Sequence, residues 1–289
     1  MKRPNKGKND LFDLVPYGLV VTRAWLQFKG VSRYNLDNWI RQEKLVSLLP
    51  GVLSREKPKK LTWQALVCSL QRMEQHNGLA PGGLTALEHH GYSHYLSLSQ
   101  TRKTIHLYGP DQLPSWLNKL TEKYLPGVIF IRHGERGLGA RFLRNDVYDT
   151  RNEVHWNCDP IHGSFFRENW GMDEWPLTLA TPERAVFEML ADVPEGLSFE
   201  HADQIFQGLT TLSPRRLNKL LSVCESVKVK RLFLWFAERH KHPWFKHMQL
   251  AEYDMAGGTL GSGKRELVKG GRLDPKYLIT VPESMYGQE

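Results

Sequence analysis

The chain is poor in cysteine. Only Cys68, Cys158 and Cys224 occur in 289 residues. No two of them have metal-ligand spacing and their number is odd, so neither a zinc knuckle nor a disulfide framework is indicated, and a reducing compartment fits. Long apolar runs are missing as well. No stretch reaches the roughly 20 residues that span a bilayer. The basic opening MKRPNKGKND is not followed by an apolar run of signal length. The expectation is a cytoplasmic protein with no membrane partner. G-x-S-x-G, H-E-x-x-H and a convincing Cys/His nucleophile pair are also absent, so no catalytic, cofactor-binding or metal-binding residues are expected. No internal repeat or low-complexity segment is visible. What remains is an ordinary folded composition, 40% hydrophobic and 24% charged, with nine tryptophans. The length exceeds one average domain and suggests two.

The most informative stretch is TRAWLQFKGVSRYNLDNWIRQEKLVSLLPGVLSR, residues 22–55. Thr22–Lys29 has apolar residues at helical spacing (Trp25, Leu26, Phe28). Gly30-Val31 breaks that helix, because glycine accepts the backbone angles of a tight turn. Ser32 is a good N-cap for a second helix, Arg33 to about Gln42. Leu36, Trp39 and Ile40 sit at i, i+3 and i+4 and form its buried face. Tyr34, Asn38 and Arg41 lie opposite. Leu45–Leu49, the turn Pro50-Gly51 and Val52–Leu53 then read as a hairpin. Helix, tight turn, helix, hairpin is the order of a winged helix-turn-helix, whose second helix enters the major groove. Arg can read guanine and Asn adenine bidentately, while Tyr and Ser reach phosphates. The candidate DNA-binding residues are Arg23, Lys29, Ser32, Arg33, Tyr34, Asn35, Asn38, Arg41 and Gln42. Past the hairpin they continue as a basic tip, Arg55, Lys57, Lys59 and Lys60.

Charge location supports this reading over a small helical core with ordinary surface charge. The chain carries 39 Lys and Arg against 31 Asp and Glu. Residues 1–60 hold 13 of the bases and only 5 of the acids, and the rest is balanced at 26 each. All the excess positive charge therefore sits in the segment that looks like a DNA reader, as expected when phosphates are the partner.

The expected class is α+β: an N-terminal winged helix-turn-helix, then a larger mixed α/β C-terminal domain with a helical second half. A first helix over 10–15 completes the three-helix core. Thr62 caps a helix from Trp63 to about Gln75, and Asn77-Gly78 stops it. The expected division is 1–78 for DNA binding with a connecting helix and 79–289 for the C-terminal domain. Within the latter, 79–180 is mixed: a short helix from Leu84 closed by Gly91, strands at 95–99, 104–108 and 128–132, a helix at 114–125, and further strands at 141–147 and 153–157. Residues 181–255 are mainly helical, with helices starting at Thr181-Pro182, Ser198, Ser213-Pro214 and Val227. Residues 256–289 form a Gly-rich tail with a strand at 277–281.

Two sequence features invite chemistry. Gly258-Thr-Leu-Gly-Ser-Gly263-Lys264 matches G-x-x-x-x-G-K, but Arg265 replaces the magnesium-binding Ser/Thr and no hydrophobic strand precedes it. His89-His90, His94 and His106 cluster near Glu88, and His240, His242 and His247 surround Pro243-Trp244. Adjacent histidines on a helix point about 100° apart, and neither group has a recognised ligand spacing, so a structural role is the expectation.

Several segments together resemble the AbiEi antitoxins of bacterial type IV toxin–antitoxin systems. They are the winged-helix pattern up to the basic tip, Gly83-Leu-Thr-Ala-Leu-Glu-His-His-Gly91-Tyr, Ala180-Thr-Pro-Glu-Arg-Ala-Val-Phe-Glu-Met-Leu190, and Leu260-Gly-Ser-Gly-Lys-Arg-Glu-Leu-Val-Lys-Gly-Gly-Arg-Leu-Asp-Pro-Lys-Tyr277. The resemblance implies an autorepressor that binds repeats in the promoter of its own operon. It also implies a C-terminal domain that counteracts a nucleotidyltransferase-type toxin, with or without a stable complex, and is not itself an enzyme. The alternative is a metal-dependent nuclease with a winged-helix appendage, using carboxylates such as Glu153, Asp159 and Asp173. Their scatter over irregular segments argues against it.

Overall fold

The computed structural model describes residues 11–57, 61–73, 79–92, 102–109, 112–134, 138, 164–171, 174–249, 260–261 and 263–286. The chain is α+β, with a winged helix-turn-helix at its N-terminus. Helix α1 (Leu11–Leu14) leads into strand β1 (Val21–Thr22), then α2 (Arg23–Phe28), α3 (Arg33–Arg41), β2 (Val46–Leu49) and β3 (Val52–Ser54). The starts of α2 and α3 each have a side chain for an orphan amide. The Thr22 hydroxyl accepts from Trp25 N–H, and the Ser32 hydroxyl accepts from Asn35 N–H, both at 3.1 Å. Gly30 takes a φ of +88° between the helices. β2 and β3 are joined by Pro50 and Gly51, and Gly51 at φ +78° supplies the left-handed corner. β1 adds to β3 antiparallel, Val21 opposite Leu53, so the sheet order is β1-β3-β2.

Trp25, Leu26 and Leu36 are buried, and Trp39 and Ile40 pack against them. Phe28 is a correction, being 70% exposed. The core receives a stripe centred between Trp25 and Leu26, and Phe28 falls about 110° from that centre.

Helix α4 (Trp63–Arg72), capped by Thr62, lies between this module and the rest. On one side the Ser69 hydroxyl accepts from Val20 N–H at 2.9 Å, and Arg72 donates to the Asp13 carbonyl. On the other, α4 packs on strand β8 (Trp175–Ala180). Strand β4 (Ala80–Pro81) and helix α5 (Gly83–His89) follow, then β5 (Lys103–Tyr108), α6 (Trp116–Tyr124) and β6 (Val128–His133). β5 and β6 are parallel with α6 as their crossover, and β4 pairs antiparallel with β5. Lys123 and Tyr124 of α6 both donate to the Leu48 carbonyl, which ties α6 to β2.

β7 (Phe165–Trp170) and β8 form an antiparallel hairpin to which the sequence reading assigned no strand. The expected strands at 95–99, 141–147 and 153–157 lie outside the described residues. The helices α7 (Pro182–Ala191), α8 (Phe199–Gly208), α9 (Pro214–Val223) and α10 (Val227–His240) start where expected. Thr181 nevertheless makes no side-chain cap bond; its backbone N–H goes to the Ser164 carbonyl, and Pro182 sets the first turn. α7 is buried on every side, not along one stripe. In the tail, β9 (Arg272–Asp274) pairs with β10 (Ile279–Val281). The strand begins at Ile279, not Tyr277, because Leu278 sits at φ +52°.

Candidate nucleic-acid interface

The exposed side of α3 carries the residues that the sequence singled out. Tyr34 is 76% exposed. Arg33, Asn35 and Arg41 are exposed, and Asn38 is half-buried. Gln42, the C-cap, donates to Asn38 Oδ1 at 3.3 Å, so the two amides share a line along the outward side. Ser32 spends its acceptor on the helix start and keeps its hydroxyl proton to donate. The opening of α2 is pinned to the hairpin turn, since Arg23 N–H donates to the Gly51 carbonyl at 2.8 Å.

Three of the basic candidates also have partners within the protein. The Arg23 guanidinium pairs with the Asp37 carboxylate of α3. Lys29 lies 5.6 Å from the ring centre of Trp25 and 5.8 Å from that of Phe28. The Arg55 guanidinium stacks 4.2 Å from the Tyr17 ring. Lys57 is exposed, while Lys59 and Lys60 lie outside the described residues. The basic segment does not sit at the hairpin turn. Ser54 pairs with Val46 at the opposite end from Pro50-Gly51, so Arg55 and Lys57 leave from the foot of the wing. Sequence reasoning missed Asp37 as the counter-ion of Arg23. The two are 14 residues apart and meet only because α2 and α3 cross, although Asp37 does border the outward face on a helical wheel.

The other candidates resolve differently. Carbonyls of Leu260, Gly261, Gly263 and Leu278 all accept from the guanidinium of Arg231, at 2.6–3.1 Å. A phosphate loop turns N–H groups toward an anion; this one turns carbonyls onto a cation. His89 pairs with Glu168 at 2.6 Å, and His90 reaches the Ala180 carbonyl at 2.9 Å, so the adjacent rings diverge. His240 contacts Asp203 and His242 the Phe206 carbonyl, both at 2.8 Å, and both hold α10 and its C-terminal end against α8. His106 is brought to His133 and Asp192, not to its sequence neighbours. His94, Glu153, Asp159 and Asp173 lie outside the described residues.

Two of the C-terminal motifs, residues 83–92 and 180–190, meet in the core. Gly83 N–H donates to Glu188 Oε2 at 3.0 Å, and Glu188 Oε1 accepts from Arg184 at 2.7 Å; both charged groups are buried. Burial pushes the Glu188 carboxyl up, opposed by Arg184 and the Gly83 amide. A Cβ on Gly82 would lie 2.0 Å from Glu188 Oε2, so the close approach requires glycine there.

Comparison with known proteins agrees with the sequence. Residues 5–98 match a family model described as transcriptional regulator, AbiEi antitoxin N-terminal domain. Residues 166–282 match one described as transcriptional regulator, AbiEi antitoxin, type IV TA system. Among solved structures, the RV2827C protein from Mycobacterium tuberculosis is similar at 16% identity and a TM-score of 0.45, over 90% of this chain and 85% of that one. A search of curated proteins found no match. Among the described residues no helix is long and apolar enough to cross a membrane.

Proposed function

The chain belongs to the AbiEi antitoxin family of type IV toxin–antitoxin systems, a family of transcriptional regulators, and from that premise we propose that it represses its own operon by binding repeated operator sites. In this reading α3 lies in the major groove. Asn38 and Arg41 read base edges; Ser32, Arg33, Tyr34, Asn35 and Gln42 position the helix on phosphates. Lys29, Arg55, Lys57, Lys59 and Lys60 add sequence-independent attraction, and Arg23 acts through Asp37 and the wing. The C-terminal domain counteracts a nucleotidyltransferase-type toxin encoded beside it, with or without a stable complex. The reading requires no catalytic step, and a repressor of this kind works where the chromosome is, in the cytoplasm.

The observation that carries it is the outward face of α3, within the sequence segment 1–60 that holds the chain's whole excess of positive charge. Footprinting of the operon's own promoter with the full chain, and growth of cells expressing the neighbouring toxin with and without this protein, test it. Protected repeats with salt-dependent affinity and rescued growth are expected. Promoter affinity no higher than for random duplex, together with no rescue, would overturn it.

A further inference from the structure

Beside the β5–β6 pair is a cleft of about 560 Å³, bordered by α5, the end of α7 and the start of α8. His106 lies in β5 and His133 ends β6; the register sets Tyr108 opposite His133 and His106 opposite Ile131, so both histidines are on one sheet face. Their ring nitrogens, His106 Nδ1 and His133 Nε2, are 2.8 Å apart. Asp192, the C-cap of α7, places Oδ1 3.6 Å from His133 Nδ1. One potential ligand atom from each of the three lies within 4.8 Å of the others. The pair stands at the carboxyl end of parallel strands, where α/β sheets place their ligands.

We propose that His106, His133 and Asp192 form a binding site for one divalent transition cation of the zinc class. Two imidazoles and a carboxylate are a donor set for such ions, with the remaining position open to the cleft. Tetrahedral bonds of about 2.0–2.1 Å separate ligand atoms by about 3.3 Å. One imidazole gives an ion one nitrogen, and His106 approaches His133 Nε2 while Asp192 approaches its Nδ1, so the His133 ring must turn as well as part from His106 by about 0.5 Å.

The surroundings are built to hold these groups. The Tyr108 ring stacks on His133, 4.4 Å between centres and 12° from parallel. The Lys228 ammonium donates to the carbonyls of Ala191 and Val193, at 2.7 and 2.8 Å, fixing the backbone on both sides of Asp192. Two of the nearby cations are partly compensated, Lys103 by Glu88 at 3.4 Å and Lys228 by its two carbonyls; Arg102 also lines the cleft.

The test uses full-length protein stripped with a chelator. Cobalt(II) titration followed by visible absorption should show one equivalent bound in a four- or five-coordinate field, displaced by one equivalent of zinc. His133→Ala and Asp192→Asn should each weaken zinc binding at least about tenfold by calorimetry. His247→Ala, on an exposed residue outside the cleft, should leave it unchanged. Circular dichroism checks that each variant is folded, and the wild-type cobalt spectrum does not depend on any variant. Absence of stoichiometric binding by the wild type, or affinity unaltered in both cleft variants, would reduce the contact to a histidine–histidine hydrogen bond and overturn the site.

Discussion

The Gln71 side chain closes on both backbone groups of Thr178: its Nε2 donates to the Thr178 carbonyl at 2.7 Å, and its Oε1 accepts from the Thr178 amide at 3.0 Å. The same Nε2 reaches the Leu79 carbonyl at 3.1 Å. A side-chain amide thus imitates a neighbouring strand, and β8 is completed by a helix that also touches the winged-helix module. Gln71→Leu would leave a buried amide and carbonyl unpaired. A stability loss of about 1–3 kcal/mol is expected, read from urea denaturation. A midpoint equal to wild type would show that water or a shifted strand satisfies Thr178 equally well.

A second prediction concerns base reading. Asn38→Ala and Arg41→Ala should each cost about 1–3 kcal/mol on the cognate operator and relax sequence preference. Lys57→Ala should weaken all duplexes alike and flatten the log–log salt dependence by about one unit. Asp37→Asn should do the reverse of a lysine loss, because it releases Arg23 from its ion pair. Gel shifts at several salt concentrations separate these outcomes. Equal affinity and preference in both α3 variants would remove α3 from the groove.

The third prediction follows from the end of α3. Glu43 occupies the left-handed position after the C-cap, at φ +57°, with its N–H on the Ile40 carbonyl and that of Lys44 on the Trp39 carbonyl. This is a site that favours glycine. Glu43→Gly should raise stability by about 0.5–1 kcal/mol and, by removing an acid beside the basic module, tighten DNA binding. A lower thermal midpoint would contradict the strain argument.

Much of this molecule is legible in its sequence, and the reason is local. Ser32, Thr62, Ser198 and Ser213 cap helices because each sits before an apolar 3.6-residue pattern. Interactions between distant segments were not legible. The β7–β8 hairpin was missed because FFRENW and WPLTLA lack clean alternation and depend on α4 and each other for pairing. Phe28 reads as core by type and is exposed by angle. The histidine cluster was read along the helix, whereas His106 finds His133 through a parallel register that only the folded sheet defines. The outward face of α3 was legible from helical periodicity; the Arg23–Asp37 pair, which needs the crossing of two helices, was not.

Acid should loosen the junction of α8 and α10. Burial alone would raise the Asp203 carboxyl, but hydrogen bonds and charge from His240 and Arg239, at 2.8 and 3.0 Å, outweigh it and hold it below the usual carboxylate range. A carboxyl depressed in the folded state stabilises fully above its unfolded value, near pH 4, and loses that contribution as pH falls through the folded value. Asp203→Asn should therefore lower the thermal midpoint at neutral pH and flatten its decline below about pH 4. Parallel curves for wild type and variant would place the acid sensitivity elsewhere.

The last prediction tests whether DNA binding and toxin counteraction separate near residue 78. The charge argument motivates that division, since the positive excess ends at Lys60 and residues 79–289 are balanced. Helix α4 complicates the choice of cut. Arg72 bonds the Asp13 carbonyl at 2.8 Å while its guanidinium lies 5.2 Å from the Trp175 ring, so one side chain touches both halves. A fragment of residues 79–289 loses α4, exposes the β8 face beneath it and leaves Thr178 without Gln71. A fragment beginning at residue 61 keeps all three contacts on the C-terminal side. Both lack α3, so neither should bind the promoter. The longer fragment should be folded and protect cells from the toxin. The shorter should show the same protection at a lower thermal midpoint, and an exposed apolar patch would favour its aggregation. Circular dichroism, light scattering and toxin co-expression distinguish these states. If the 61–289 fragment is monodisperse and folded yet gives no protection, toxin counteraction needs the DNA-binding module, and repression of toxin transcription becomes the explanation of the antitoxin effect.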